Sequence, residues 1–283
     1  MFKADLLANK RILVTGGGSG LGAAMGRRFL ELGAELVICG RRADVLSATA
    51  EQLSSETGGS VTPLRCDLRD PEAVEAMMSE IWQAGPLDIL VNNAAGNFIA
   101  RTETLSHRAV DSVLGIVLHG SAYCTIAAGR RWIEAGKRGN VVLSILTLSA
   151  LRGAAFRVPS AMAKAGVHAM TKSLAAEWGP KGIRTAAIVP GWFPTDGASQ
   201  RLRPTDDARP VTADIPLGRA GEHAELANLA AFLVSDGAGY INGECVAIDG
   251  GRQFIGDGGG NTATLLGWGD AEWAAMRRQA KGE

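Results

Sequence analysis

The sequence has little cysteine, little tyrosine and no net charge: four Cys and two Tyr in 283 residues, with 29 Lys+Arg against 29 Asp+Glu. A zero balance without a basic cluster argues against a nucleic-acid or acidic-membrane partner, since nothing is left over to neutralise phosphates. Cys39, Cys66, Cys124 and Cys245 show no CxxC spacing, and each lies in or beside an apolar run. They read as small core residues in a reducing compartment, not as a disulfide framework or a zinc site. No His, Cys and carboxylate cluster has ligand spacing, so no metal is expected. No apolar run approaches the ~18 residues that span a bilayer. Lys3, Asp5 and Lys10 surround only a short apolar patch at the N-terminus, which lacks the apolar core of a signal peptide. A cytoplasmic globular protein is expected.

Glycine, by contrast, is abundant, at 37 residues. Hydrophobic residues make up 46% of the chain, enough to bury a full core. The glycines punctuate β-branched runs at Arg11–Thr15, Glu35–Cys39, Val61–Cys66, Asp88–Val91, Asn140–Ile145, Thr185–Val189 and Cys245–Ile248, which read as strands buried on both faces. Amphipathic stretches alternate with them at about Leu21–Leu32, Ala43–Ser54, Pro71–Trp82, Ser112–Glu134, Ser160–Trp178 and Ala224–Leu233. Such alternation predicts an α/β fold, a doubly wound seven-stranded parallel sheet with right-handed crossovers, in one domain over residues 1–283. Residues 192–219 are expected to form a substrate loop, and 252–283 a C-terminal extension. Within the former, Gln200–Asp214 reads equally as a lid over a ligand or a plain surface loop. Asp270–Lys281 is predicted to be a terminal helix carrying Trp273, Met276 and Ala280 on one side.

The first strand runs into Thr15-Gly16-Gly17-Gly18-Ser19-Gly20-Leu21-Gly22 and then into a helix. Glycines there permit a tight turn and let the backbone approach a pyrophosphate seated on the helix N-terminus. The second strand ends in Gly40-Arg41-Arg42. A carboxylate at that place would bind the ribose 2′-hydroxyl of NAD, whereas arginine suits a 2′-phosphate, so NADP(H) is the expected cofactor.

The TGxxxGxG spacing resembles the short-chain dehydrogenase/reductase family, whose fold is of the Rossmann type. Asp67 resembles the residue that contacts adenine; Asn92-Asn93-Ala94-Ala95-Gly96 resembles the NNAG motif, which adds Asn93 to the cofactor set. Pro190-Gly191, followed by Trp192, Phe193 and Thr195, resembles the segment beside the nicotinamide, and Asp249-Gly250-Gly251 the terminal DGG. The resemblance spans residues 8 to about 252. It implies that Lys164 holds the nicotinamide ribose and supplies positive charge.

At the catalytic end the pattern departs. The family's Tyr-x-x-x-Lys pair is Ser160-Ala161-Met162-Ala163-Lys164 here; its serine position is Thr147, and its asparagine position is His119. A subgroup that reduces a conjugated double bond also lacks that tyrosine. Gly96-Asn97-Phe98-Ile99, Pro159-Ser160-Ala161 and Lys172-Ser173-Leu174-Ala175-Ala176-Glu177-Trp178-Gly179 resemble 2,4-dienoyl-CoA reductases of the mitochondrial type. By position, this implies substrate binding by Arg69, Phe98, Ser106, Ser160 and Arg201, with Asn97 hydrogen-bonding the thioester carbonyl. That subgroup's proton-donating tyrosine lies fifteen residues before the lysine, where this chain has Ser149; its two tyrosines, Tyr123 and Tyr240, lie elsewhere.

The reading is therefore an NADPH-dependent reductase of unsaturated fatty acyl-CoA thioesters, with Asn97 and Thr147 facing the thioester oxygen and Ser149-held water or His119 as the proton source. The resemblance also implies a role in fatty-acid β-oxidation and a homotetramer, to which the apolar long helices would contribute. A reductase of a different enone and a nucleotide-binding pseudoenzyme with a regulatory or scaffolding role are the alternatives. His107, His168 and His223 show no partner pattern and read as surface or structural.

Overall fold

Valine, isoleucine and leucine crowd seven short segments, and these form the strands β1 (Arg11–Thr15), β2 (Glu35–Gly40), β3 (Val61–Arg65), β4 (Ile89–Asn92), β5 (Asn140–Ile145), β6 (Ile183–Pro190) and β7 (Cys245–Ile248). The computed structural model describes residues 2–195, 210–255 and 262–281. All the strand pairs are parallel, in the order β3-β2-β1-β4-β5-β6-β7. The order reverses between β1 and β4, so a crevice opens beyond the carboxyl ends of those two strands, the place where such sheets bind ligands.

The connecting helices are α1 (Gly20–Glu31), α2 (Ala43–Thr57), α3 (Pro71–Ala84), α4 (His107–Leu114), α5 (Gly120–Glu134), α6 (Ser149–Arg152), α7 (Val158–Trp178), α8 (His223–Val234), α9 (Thr262–Leu265) and α10 (Asp270–Lys281). Strand side chains alternate between two cores, as the period of two requires. Ile12, Val14, Leu36 and Ile38 pack with Phe29 of α1, Leu46 of α2 and Leu226 of α8. Leu13, Val37 and Cys39 pack on the other face with Met78 of α3 and Trp132 of α5. Cys39, Cys66 and Cys124 are buried there, and burial pushes each thiol's pKa up.

Four features differ from the sequence expectation. The two edge strands are not buried on both faces, β3 being largely exposed and β7 half-buried, because each has a neighbour on one side only. The helix predicted to begin at Ser112 begins at His107 and is joined into α5 through a π turn at Gly115–His119. Continuous from His107 to Glu134, it is long and apolar enough to cross a membrane by length and composition, although no uninterrupted apolar run suggested this. Its apolar side is spent on the protein core, where Val113, Val117, Cys124, Ala127, Ala128 and Trp132 are buried. Lastly, the four-residue helix α6 follows β5, where the sequence showed no helix.

Candidate active site

At the crevice, β1 and β4 are stapled by polar groups. The Oγ1 of Thr15 accepts from the backbone N–H groups of Asn93 and Ala94, both at 3.0 Å. Asn93 returns its amide Nδ2 to the carbonyls of Thr15 (2.9 Å) and Gly16 (3.2 Å). Glycine is required in this corner: Gly16 has φ +66°, and a Cβ on Gly22 would lie 2.5 Å from the Gly16 carbonyl oxygen and 2.6 Å from Asn93 Nδ2. Gly22→Ala should therefore force the loop and the first turn of α1 apart. The expected loss is about 1–3 kcal/mol in urea unfolding, as for other overpacked sites, and unchanged stability would refute the tight approach.

The helix that opens here is left without a side-chain cap. Ser19 makes no capping hydrogen bond to α1, and its first turn holds no acid. Elsewhere Asp70 caps α3, Ser106 caps α4, and a Glu222–Glu225 capping box closes α8. An uncapped start leaves N–H groups and the positive end of the dipole facing the crevice, which suits a pyrophosphate.

A cleft of about 1340 Å³ runs from this turn, lined by Gly16, Gly18, Ser19, Gly20 and Leu21, and at one side by Arg41, Arg42 and Asp67. Gly17 presses its backbone onto Ile38, so that a Cβ there would lie 2.5 Å from Ile38 Cγ2. Arg41 and Arg42 are exposed at the end of β2, just before Asp44 in the first turn of α2. The residues thus fit a phosphorylated adenosine. Asp67 and Arg69 prove to be partners: Arg69 Nε donates to Asp67 Oδ1 at 2.9 Å. This hydrogen bond holds the Asp67 carboxyl below its usual range.

A second group of polar residues lies beyond the carboxyl end of β5. Lys164 projects from α7, is 5% exposed, and donates from Nζ to the carbonyl of Ile145. Burial lowers its pKa to about 8. One turn earlier, Ser160 is also buried. Just past β5, the hydroxyls of Thr147 and Ser149 lie 3.0 Å apart and share a hydrogen bond. Asn97 turns its Oδ1 onto the Phe98 N–H at 2.9 Å, and Phe98 packs against the cluster of Val113, Val117 and Ala163.

Two other sequence candidates have contacts of their own. Ser106 is exposed and accepts from the Ala109 N–H, the ordinary work of a helix cap. His119 is exposed at the end of the π turn, its ring 6.0 Å from that of Tyr123, while the turn's buried residues are Gly115 and Val117. Arg201 lies outside the described residues.

After β6, the Gly191 N–H donates to Ile248 at 2.9 Å, and a Cβ on Gly191 would lie 2.6 Å from the Asp249 Cα, so Pro190-Gly191 and the Asp249-Gly250-Gly251 turn are packed together. Pro194 and Thr195 then reach the cleft, which His223 and Ile116 also line. Neither was legible as a site residue. Ile116 is placed by the π turn, and His223 by the start of α8, twenty-nine residues from its partner Pro194.

A family model described as Enoyl-(Acyl carrier protein) reductase matches residues 16–253. An uncharacterized oxidoreductase of Caenorhabditis elegans is 45% identical over 283 residues, covering 98% of this chain and 90% of that protein. From the same organism, a protein named probable 2,4-dienoyl-CoA reductase 3 is 42% identical over 282 residues, covering 98% of this chain and 91% of its own. Among solved structures, the active-site complex of Pseudomonas aeruginosa RhlG with NADP superposes with a TM-score of 0.81 at 26% identity, covering 89% of this chain and 100% of that one.

Proposed function

From the premise that the chain belongs to the short-chain dehydrogenase/reductase family of oxidoreductases, we propose that it reduces a conjugated carbon–carbon double bond of an unsaturated fatty acyl-CoA with NADPH. The observation that carries this reading is the juxtaposition at the end of β5. A buried lysine shares the site with a Thr147–Ser149 hydroxyl pair, and the Tyr of the carbonyl-reducing pattern is a buried serine.

The cofactor would be held by the Gly16–Leu21 turn, by Arg41 and Arg42 at a 2′-phosphate, by Asp67 and Asn93, and by Pro190, Gly191 and the segment Trp192 to Thr195. When bound, it supplies hydride. Lys164 then places a cation against the ribose, in a pocket where low dielectric strengthens its field. Asn97 and Thr147 face charge that gathers on the thioester oxygen. The hydroxyl pair orders a water, and through it a proton reaches carbon. Arg69, Phe98, Ser106, Ser160 and Arg201 form the acyl-CoA side; for Arg69 this means exchanging or sharing Asp67 with a CoA phosphate.

Supporting a homotetramer, Ile126 of α5 and Met162 of α7 are large apolar side chains at least half exposed on the long helices. The absence of any CxxC spacing among the four cysteines supports a cytoplasmic place, and the dienoyl-CoA substrate in the relatives' names is in keeping with a role in fatty-acid β-oxidation.

The deciding experiment is NADPH oxidation against a panel of enoyl-CoA and 2,4-dienoyl-CoA thioesters. Slow but measurable turnover confined to the dienoyl thioesters is expected. Tight NADPH binding with no turnover on any thioester would instead favour a nucleotide-binding pseudoenzyme, and turnover on another enone the third reading. Cofactor choice is tested separately. Replacing Arg41 and Arg42 by alanine should cost about 1.5–3 kcal/mol of NADPH binding, for loss of charge-assisted contacts, and leave NADH binding unchanged. Equal dissociation constants for the two cofactors in the parent would overturn the assignment.

A further inference from the structure

The segment Trp192–Thr195 leads from the core, where Phe193 is buried, to the cleft, which Pro194 and Thr195 line. Three of its fixings come from the residues around the start of α8. The Gly221 N–H donates to the Trp192 carbonyl at 3.0 Å. Phe193, 6% exposed, lies flat on Gly221, where a Cβ would stand 2.4 Å from the ring. The third fixing is His223, whose Nε2 lies 2.6 Å from the Pro194 carbonyl oxygen. At the far end of the arm, the Thr195 Cγ2 lies 3.2 Å from where a Cβ of Gly20 would be, over the first residue of α1. The arm therefore bridges the beginnings of two helices, and one of them is the uncapped start that faces the pyrophosphate.

We propose that His223 is a positioning residue for the cofactor: by donating Nε2–H to the Pro194 carbonyl, it fixes the Trp192–Thr195 arm over Gly20 and so shapes the wall against which a nicotinamide nucleotide binds. This rests on the nucleotide reading of the cleft. His223 is well placed to act as a fixed post. Its helix end is closed by the capping box, in which Glu225 accepts from the Glu222 N–H at 2.8 Å. Glu225 is in turn held by Arg219, at 2.8 and 2.7 Å. The capping box satisfies the Glu222 and Glu225 N–H groups, and the imidazole reaches across to the arm. With a carbonyl oxygen as its partner, Nε2 is the donor in this bond.

The test is nucleotide binding by the full chain, read by titration calorimetry and by stopped-flow release of NADPH. His223→Ala should weaken NADPH binding about tenfold, the worth of one well-made hydrogen bond, with most of the change in the release rate. His223→Gln, whose amide can donate to the same carbonyl, should restore binding to within about threefold. His223→Phe, which fills the space without donating, should behave as the alanine variant. Binding by His223→Ala within twofold of the parent would overturn the proposal, as would full rescue by phenylalanine. Amide exchange of Phe193 and Thr195 in the nucleotide-free protein is a second reading. It should quicken in the alanine variant and not in the glutamine variant, and unchanged exchange would also overturn the tie. If the parent binds neither NADPH nor NADH, the nucleotide reading fails, and exchange alone then decides whether His223 holds the arm.

Discussion

Ser149→Tyr should raise the rate on a 2,4-dienoyl-CoA at least tenfold. General acid catalysis by a positioned group contributes about 10²–10⁴-fold, and a serine hydroxyl, with a pKa far above a phenol's, supplies little of it. Ser149 is half-buried at the first turn of α6, its Oγ 3.0 Å from that of Thr147. A phenol carried from the same Cα would put an acidic hydroxyl farther from the backbone than the serine can. The comparison variant is Ser160→Tyr. It would recreate the Tyr-x-x-x-Lys pair one turn before Lys164, yet Ser160 is only 6% exposed, so the ring must displace its neighbours. That variant should lose about 1–3 kcal/mol of stability to overpacking and gain nothing on the dienoyl substrate. A parent that is already fast, and slows on Ser149→Tyr, would mean that the chain has its own proton donor. His119→Ala would then be the variant to measure, since His119 is the other candidate.

The sheet was legible because its signal is local. Alternation between β-branched runs and amphipathic stretches fixes the order of elements, and the two faces of Ile12-Leu13-Val14 are sorted by the pleat alone. The nucleotide turn was legible for the same reason: six consecutive residues, Gly16 to Leu21, follow a strand and open a helix. The π turn left no such mark. Its extra residue changes which carbonyl each N–H meets and not the apolar pattern, although Gly115 and Gly120 at its borders are packed against Arg69 and Leu68. α6 is a single turn, too short to carry a period. Position by position, the resemblance assigned Ser106 and His119 to the site; in the fold Ser106 also caps α4, and the exposed His119 ring lies beside Tyr123. His223 could not be read from the sequence. Nothing near it in sequence suggests a partner, and the one it has is brought by the return of the chain from β6 to α8.

Lys164→Met should separate stability from chemistry, because the lysine is kept in a place that penalises its charge. Burial lowers its pKa from 10.5 to about 8. At about 1.36 kcal/mol per unit, that is a cost of about 3 kcal/mol whenever the buried amine is protonated. Below pH 8 the cost is present in full, since folded and unfolded chains both carry the proton. Between pH 8 and 10.5 the folded chain gives up a proton that the unfolded chain retains, so stability rises with pH across that window. The donated hydrogen bond to Ile145 offsets part of the cost, by about 1.5–3 kcal/mol for a charged donor. Methionine fills the space of the stem without the charge. At pH 7 the variant should therefore match or exceed the parent in urea unfolding, and this advantage should vanish by pH 10.5. Its turnover should fall about 10²–10³-fold, as when a preorganised electrostatic group is removed from a dry site. In the parent, kcat/KM should decline through a basic limb near pH 8, reporting loss of the ammonium in the free enzyme. A parent profile flat to pH 10, together with a methionine variant clearly less stable at pH 7, would show that the lysine serves packing and not charge.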